Sequence, residues 1–220
     1  MTESSAPVRP RDAATLVIHR ESPRGTEVLM GRRSDKARFK PGVYVFPGGG
    51  LEAADRRVQV SSPLHHSIAP KLAVGNSQTR AQALALAAIR ETFEECGLVV
   101  GVPGDIGEIP HVSWQDYRQR GVTPPLAELR YLGRAITPSP QPIRFHARFF
   151  AIDAQFVSGE ADDTHELGDL QWVPVTAVKD LNVMPVTLLM LDALTRQLEH
   201  DDPRAVFLSF QHGKRQILWV

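Results

Sequence analysis

Runs of apolar residues, broken by turn residues, mark out the elements of this chain. Ala13 to His19 is a β-rich apolar run, and Glu27 to Gly31 is a second. Pro23 and Gly25 lie between them, which predicts an antiparallel hairpin. Val43 to Phe46 predicts a short strand, ended at once by a Gly-rich turn, Pro47-Gly48-Gly49-Gly50. Residues 56 to 76 show no period. Thr79 to Cys96 then predicts a helix, with Leu86, Ile89, Phe93 and Cys96 on one stripe. Thr79 and Gln82 fit a capping box at its start, and Gly97 fits the residue just past its end. A helix around Trp114 to Arg120, strands at 132–137 and 145–156, an acidic loop at 159–168 and a strand at 170–173 follow. A helix at 186–199 and a hairpin of 207–210 with 215–220 close the chain. Mixed strands around a few helices predict one α/β or α+β domain.

Composition narrows the partners. Lys plus Arg number 25 and Asp plus Glu number 25, so the net charge is zero. That balance argues against a nucleic-acid binder and a polybasic membrane-surface protein. Cys96 is the one cysteine, which excludes an internal disulfide and a zinc site built on several thiolates. Residues 1–11 read as a loose tail without a signal-peptide core, and no apolar run reaches bilayer length. A cytoplasmic protein is expected. The neutrality is a sum of poles. Arg32 to Lys40 holds five basic residues and one acid, while Ala151 to Leu170 holds six acids and no Lys or Arg.

Chemistry concentrates in Arg90-Glu91-Thr92-Phe93-Glu94-Glu95-Cys96-Gly97-Leu98. Glu91, Glu94 and Glu95 stand at i, i+3 and i+4, so on a helix they share one face, opposite the apolar stripe and turned outward. Such carboxylates repel one another, and a hard divalent cation such as Mg²⁺ relieves that repulsion with oxygen ligands. Carbonyls of the Gly48-Gly49-Gly50 turn are further oxygen donors.

These residues resemble the Nudix hydrolase box, G-x5-E-x7-R-E-U-x-E-E-x-G-U, where U is bulky and aliphatic. Gly49 matches its first position, and Arg90, Glu91, Glu94, Glu95, Gly97 and Leu98 match its second half. The sequence departs from the box at Asp55, where the family has Glu, and at Thr92. The 34 residues from 56 to 89 stand where the family has seven, so about 27 are inserted. A box split in this way resembles the acyl-coenzyme A diphosphatase branch. Leu29 to Gly49 resembles the signature of coenzyme A pyrophosphatases, with Arg33, Ser34, Arg38, Gly42 and Phe46-Pro47-Gly48-Gly49 in register. Glu166, six residues before Trp172-Val173, resembles a loop glutamate of the family, with Asp163 as the substitute.

The resemblance implies a Nudix α/β/α sandwich with a mixed central sheet, occupying 12–220 with an insertion at about 56–82. It implies metal-dependent hydrolysis of a diphosphate linkage in a nucleoside diphosphate joined to another group. Coenzyme A or an acyl-coenzyme A is the expected substrate, giving 3′,5′-ADP and a phosphopantetheine. Glu91, Glu94, Glu95 and the Gly48 carbonyl are the implied Mg²⁺ or Mn²⁺ ligands. Glu91 or Glu166 deprotonates water, Arg90 orients a carboxylate with Asp55 as ion-pair partner, and Arg33, Arg38, Gly49 and Gly50 hold substrate. No nucleic-acid or membrane partner is expected, and a homodimer is compatible. The insertion, entering between turn and helix, is expected to start and end near the site, as a cap or a subunit contact. Two other readings stay open: a Nudix enzyme for ADP-ribose, NADH or a dinucleoside polyphosphate, and a non-catalytic Nudix-like binding domain. The intact glutamates and arginine speak against the latter. His65, His66, Cys96, Trp114, Trp172 and Trp219 read as surface or packing residues.

Overall fold

The computed structural model describes residues 8–139 and 141–220. Most of the expected tail, residues 1–7, lies outside the described residues; Arg11 already belongs to the first strand, paired with Phe145.

The strands in chain order are β1 (Arg11–Ser22), β2 (Gly25–Arg33), β3 (Tyr44–Val45), β4 (Gly48–Gly50), β5 (Val99–Val100), β6 (Val102–Pro103) and β7 (Val122–Thr123). They continue with β8 (Arg130–Ile136), β9 (Phe145–Asp153), β10 (Val157–Ser158), β11 (Leu167–Pro174), β12 (Val206–Gln211) and β13 (Lys214–Trp219). The helices are α1 (Gln78–Cys96), α2 (Val112–Gln119) and α3 (Pro185–Glu199). The main sheet runs β11-β2-β1-β9-β8-β12-β13, with β3 joined to β2 and β4 to β1. Pairs β1–β9 and β8–β12 are parallel and the others antiparallel, so the sheet is mixed. Two short ladders, β5–β10 and β6–β7, stand apart.

Strand β1 is central and buried on both faces, which is why Ala13 to His19 reads as an almost unbroken apolar run. One of its edges is shared: β2 pairs with residues 19–22 and β4 with residues 13–15. One core joins α1, α2 and residues 64–74 to one face of the sheet. A second core packs α3 on the other face. Helices on both faces of a mixed sheet make the expected three layers.

Several local expectations change. Gly48–Gly50 is a strand and not a turn, because the edge of β1 beyond β2 offers a ladder that glycine can join. Helix α1 starts at Gln78 with Ser77 as N-cap, its Oγ accepting the Arg80 N–H at 3.3 Å. The second strand of the 145–156 run stops at Asp153, whose carboxylate caps a 3-10 turn. Strand β11 begins at Leu167, inside the expected acidic loop.

Helix α1 is buried nearly all round from Ala81 to Arg90, and not along one stripe. Ala81, Ala83, Ala85, Ala87 and Ala88 admit close neighbours on every side. Among those neighbours is the inserted segment. Leu64, Ile68, Leu72 and Val74 are core residues, the Arg148 Nε donates to the Leu72 carbonyl at 3.1 Å, and the Tyr131 hydroxyl donates to the Lys71 carbonyl at 3.3 Å. The insertion therefore roofs β8 and β9. It starts near the acidic helix end at Asp55, but delivers the chain to Ser77, about 20 Å along the axis from Glu91. Its residues 64–74 form a layer of the core, and its end lies away from the site, although both ends are expected close to it.

Candidate active site

The site forms where β4 faces the last two turns of α1. Leu16 N–H donates to the Pro47 carbonyl and Leu51 N–H to the Asp12 carbonyl, at 3.0 and 3.2 Å. In an antiparallel ladder such pairs recur every second residue. Gly49 is thus bonded to Ala14, and the N–H and C=O of Gly48 point away from β1. That N–H donates to Glu95 Oε2 at 2.9 Å, and the Gly48 carbonyl faces the same side. Gly49 presses on Glu91: a Cβ there would lie 2.4 to 2.6 Å from its carboxylate atoms. Gly49→Ala therefore displaces Glu91 and costs about 1–3 kcal/mol through overpacking, to be read by denaturant unfolding. Wild-type stability in that variant would refute the contact.

Of the expected outward acid face, Glu94 is exposed, Glu91 is half-buried and Glu95 is turned inward. Glu95 is only 5% exposed. Burial pushes its carboxyl up to about 8, against the Gly48 hydrogen bond and with the charges of Glu91 and Glu166 adding to the rise. Burial likewise pushes Glu91 up to about 7, opposed by Arg90 and reinforced by Glu94 and Glu166. Glu166, one residue before β11, thus lies within electrostatic reach of both. Its backbone carbonyl accepts from Ser34 N–H at 3.1 Å, which ties this loop to the end of β2. Arg33, paired with Leu167 across the ladder, acts on Glu95 with the opposite sign. Its Nε is buried without a hydrogen-bond partner.

Arg90 is the hub. It is 1% exposed, and its Nε donates to Asp55 Oδ1 at 2.9 Å. Its Nη2 donates to the Gly50 carbonyl at 2.7 Å, and its Nη1 lies 2.9 Å from Glu91 Oε1 and 3.1 Å from Glu94 Oε2. Burial opposes its charge, but the Asp55 hydrogen bonds and the surrounding acids outweigh that, so the guanidinium holds its proton more tightly than usual. Asp55 is fully buried and accepts further bonds from Trp114 Nε1 at 3.2 Å and Glu52 N–H at 2.8 Å.

The other expected site residues stand as follows. Glu94 stays beside Glu91 on Arg90 Nη1 through one oxygen, and its other oxygen, Oε1, accepts from Ser113 Oγ of α2 at 2.6 Å. Among the described residues no three acidic, His or Cys side chains gather into one metal-holding group. The Gly50 carbonyl accepts from Arg90 while Gly50 itself is exposed, and Gly49 backs Glu91. Asp163 accepts the backbone N–H groups of Asp169 and Leu170 at 2.9 and 3.1 Å, bonds that hold its carboxyl below its usual range. It shapes the loop and is no substitute for Glu166. Arg38 stands exposed between β2 and β3.

Comparison with known families matches the NUDIX domain over residues 9–190. The chain belongs to the NUDIX domain family. A curated Nudix relative, acyl-coenzyme A diphosphatase NUDT19 of Xenopus laevis, is 25% identical over 211 residues, 70% of this chain and 54% of that protein. The chain thus spans about half the length of that relative. Among solved structures, a NUDIX hydrolase from Alicyclobacillus acidocaldarius is 28% identical with a TM-score of 0.67, covering 86% of this chain and 92% of the other. The NUDIX domain of Shewanella oneidensis NrtR, solved with ADP-ribose, is 13% identical with a TM-score of 0.51, covering 90% and 99%. That second likeness shows the shared fold alone.

The split Nudix box is thus closed in space: Asp55, Arg90 and the helix acids meet although 34 residues separate Asp55 from Arg90. Ser113 and Trp114 lie outside the box, and nothing in their spacing announced contact with it. Cys96 is buried beside the site, and burial pushes its thiol up to about 12, consistent with packing. His65 and His66 are exposed and stack on each other. No helix among the described residues is long and apolar enough to cross a membrane.

Proposed function

We propose that this Nudix domain, residues 12–220 with its insertion at 56–82, is a metal-dependent diphosphatase of nucleoside diphosphates linked to another moiety. One observation carries the reading: Glu91 and Glu95 lie together against the glycine strand, with the charges of Glu166, from the loop before β11, and Arg33, from β2, acting on the pair. Burial raises the two carboxylates to about 7 and 8, so the nearby guanidinium groups do not fully compensate them. Oxygen donors of this kind suit Mg²⁺ or Mn²⁺. Glu91, Glu95 and the Gly48 carbonyl would hold the ion, joined by Glu94 once it leaves Ser113. When bound, the cation supplies charge neutralisation on the bridging phosphates and polarisation of a phosphoryl oxygen.

The remaining work falls to the chain itself. Arg90 holds Glu91 in place and is held in turn by Asp55. Arg33 offers an unpaired Nε–H to a phosphate oxygen, and guanidinium geometry suits that partner. Arg38, exposed on the same loop, supplies charge to approaching anions. Glu166 takes a proton from the attacking water. We prefer it to Glu91, whose Oε1 is already paired with Arg90 at 2.9 Å.

Coenzyme A or an acyl-coenzyme A is the substrate class we favour, giving 3′,5′-ADP and the phosphopantetheine product. The support is the resemblance of residues 29–49 to the coenzyme A signature and the likeness to the frog diphosphatase. A panel of coenzyme A, ADP-ribose and NADH at equal Mg²⁺ should show the highest kcat/KM for coenzyme A. Absence of 3′,5′-ADP among the products would exclude it in favour of another diphosphate. A cytoplasmic homodimer is compatible with this reading.

A further inference from the structure

We propose that Ser113 is a positioning residue that holds Oε1 of Glu94 toward α2, so that a cation using that oxygen must first displace the hydroxyl. The inference rests on the reading of Glu94 as a metal ligand. Three observations support it. Glu91 and Glu95 converge on β4, while Glu94 shares Arg90 Nη1 with Glu91 through Oε2, at 3.1 Å, and gives Oε1 to Ser113 Oγ at 2.6 Å. Ser113 is 3% exposed, so its hydroxyl is fixed in place although Glu94 itself meets solvent. The next residue, Trp114, is fully buried and bonded to Asp55, which fixes the first turn of α2 and with it the position of that hydroxyl.

A hydrogen bond to a charged group is stronger than one between neutral groups, and here it stabilises that orientation of Glu94. Any cation that recruits Glu94 works against that bond, so its apparent affinity is lowered by the population held away. Removing the hydroxyl removes the competition. The carboxylate stays tethered to Arg90 and keeps its reach toward Glu91.

Binding of Mn²⁺ to the metal-free full chain at fixed pH, followed by electron paramagnetic resonance, tests this without turnover. Ser113→Ala should tighten Mn²⁺ binding about tenfold, the equivalent of one hydrogen bond to a charged group. Ser113→Thr, which keeps a hydroxyl, should match wild type. Glu94→Gln should weaken binding, and in that background Ser113→Ala should have no further effect on affinity. Unchanged or weaker binding by Ser113→Ala, with Glu94→Gln still weakened, overturns the positioning role and leaves the metal reading standing. Unchanged binding by Glu94→Gln removes Glu94 from the ligand set and overturns both. A purely structural Ser113 would lower the melting temperature of the alanine variant without moving its Mn²⁺ affinity, which also overturns the proposal.

Discussion

Glu95→Gln should lower kcat by about a thousandfold, or about 4 kcal/mol of transition-state stabilisation, at saturating Mg²⁺. The substitution keeps the side-chain shape, and the amide oxygen still accepts the Gly48 N–H that Glu95 accepts at 2.9 Å. What it removes is a negative charge in a site where burial already disfavours that charge. A neutral amide is cheaper to bury than a carboxylate, so the metal-free variant should be at least as stable as wild type. Lost turnover with retained stability separates a ligand from a structural acid. Steady-state kinetics and metal-free thermal melts on the same preparation measure both. Wild-type kcat would sink the assignment of Glu95, and a collapsed fold would show that the residue serves the scaffold.

The largest stability effect should come from Arg90→Leu. Asp55 is fully buried and would keep only the Trp114 indole and the Glu52 N–H as donors. Breaking a buried pair strands its partner's charge, at a cost of about 3–5 kcal/mol. For a chain of this size that corresponds to roughly 6–20 °C in melting temperature. The double variant Arg90→Leu with Asp55→Leu removes the stranded charge and should recover part of the loss. It should not recover hydrolysis, since Glu91 and Glu94 still lack their tether. A double variant no more stable than Arg90→Leu would show that the guanidinium acts through packing and not through its charge.

The acid triplet shows how far a helical periodicity carries. Spacing put Glu91, Glu94 and Glu95 on one face, and that much is geometry of the α-helix. It did not reveal that α2 lies beside Glu94 and β4 beside Glu91 and Glu95, so a single face serves two neighbours. Nor did it reveal that Glu95 is buried while Glu94 stays exposed. The alanines of α1 allow packing on all sides, and only the arrangement of the insertion, α2 and the sheet uses that freedom. The glycine run is a second case. Three glycines signal a turn locally, yet β1 offers a free edge beyond β2, and ladder bonds with Ala14 decide for strand.

The order of the longer strands and helices, the box residues Asp55, Arg90, Glu91, Glu94 and Glu95, the loop acid Glu166, and the separate basic and acidic poles could be read along the chain, while the short strands at 48–50, 99–103, 122–123 and 157–158 could not. Local propensity, periodicity and residue chemistry act over a few positions, so they survive in a linear reading. Tertiary structure alone decided that Arg90 spans Asp55, Gly50, Glu91 and Glu94, that Ser113 engages Glu94, and that the insertion is core. Each joins segments distant in sequence whose contact depends on packing the whole sheet. A hydrogen bond or a buried charge pair forms only when that packing brings its partners within about 3 Å.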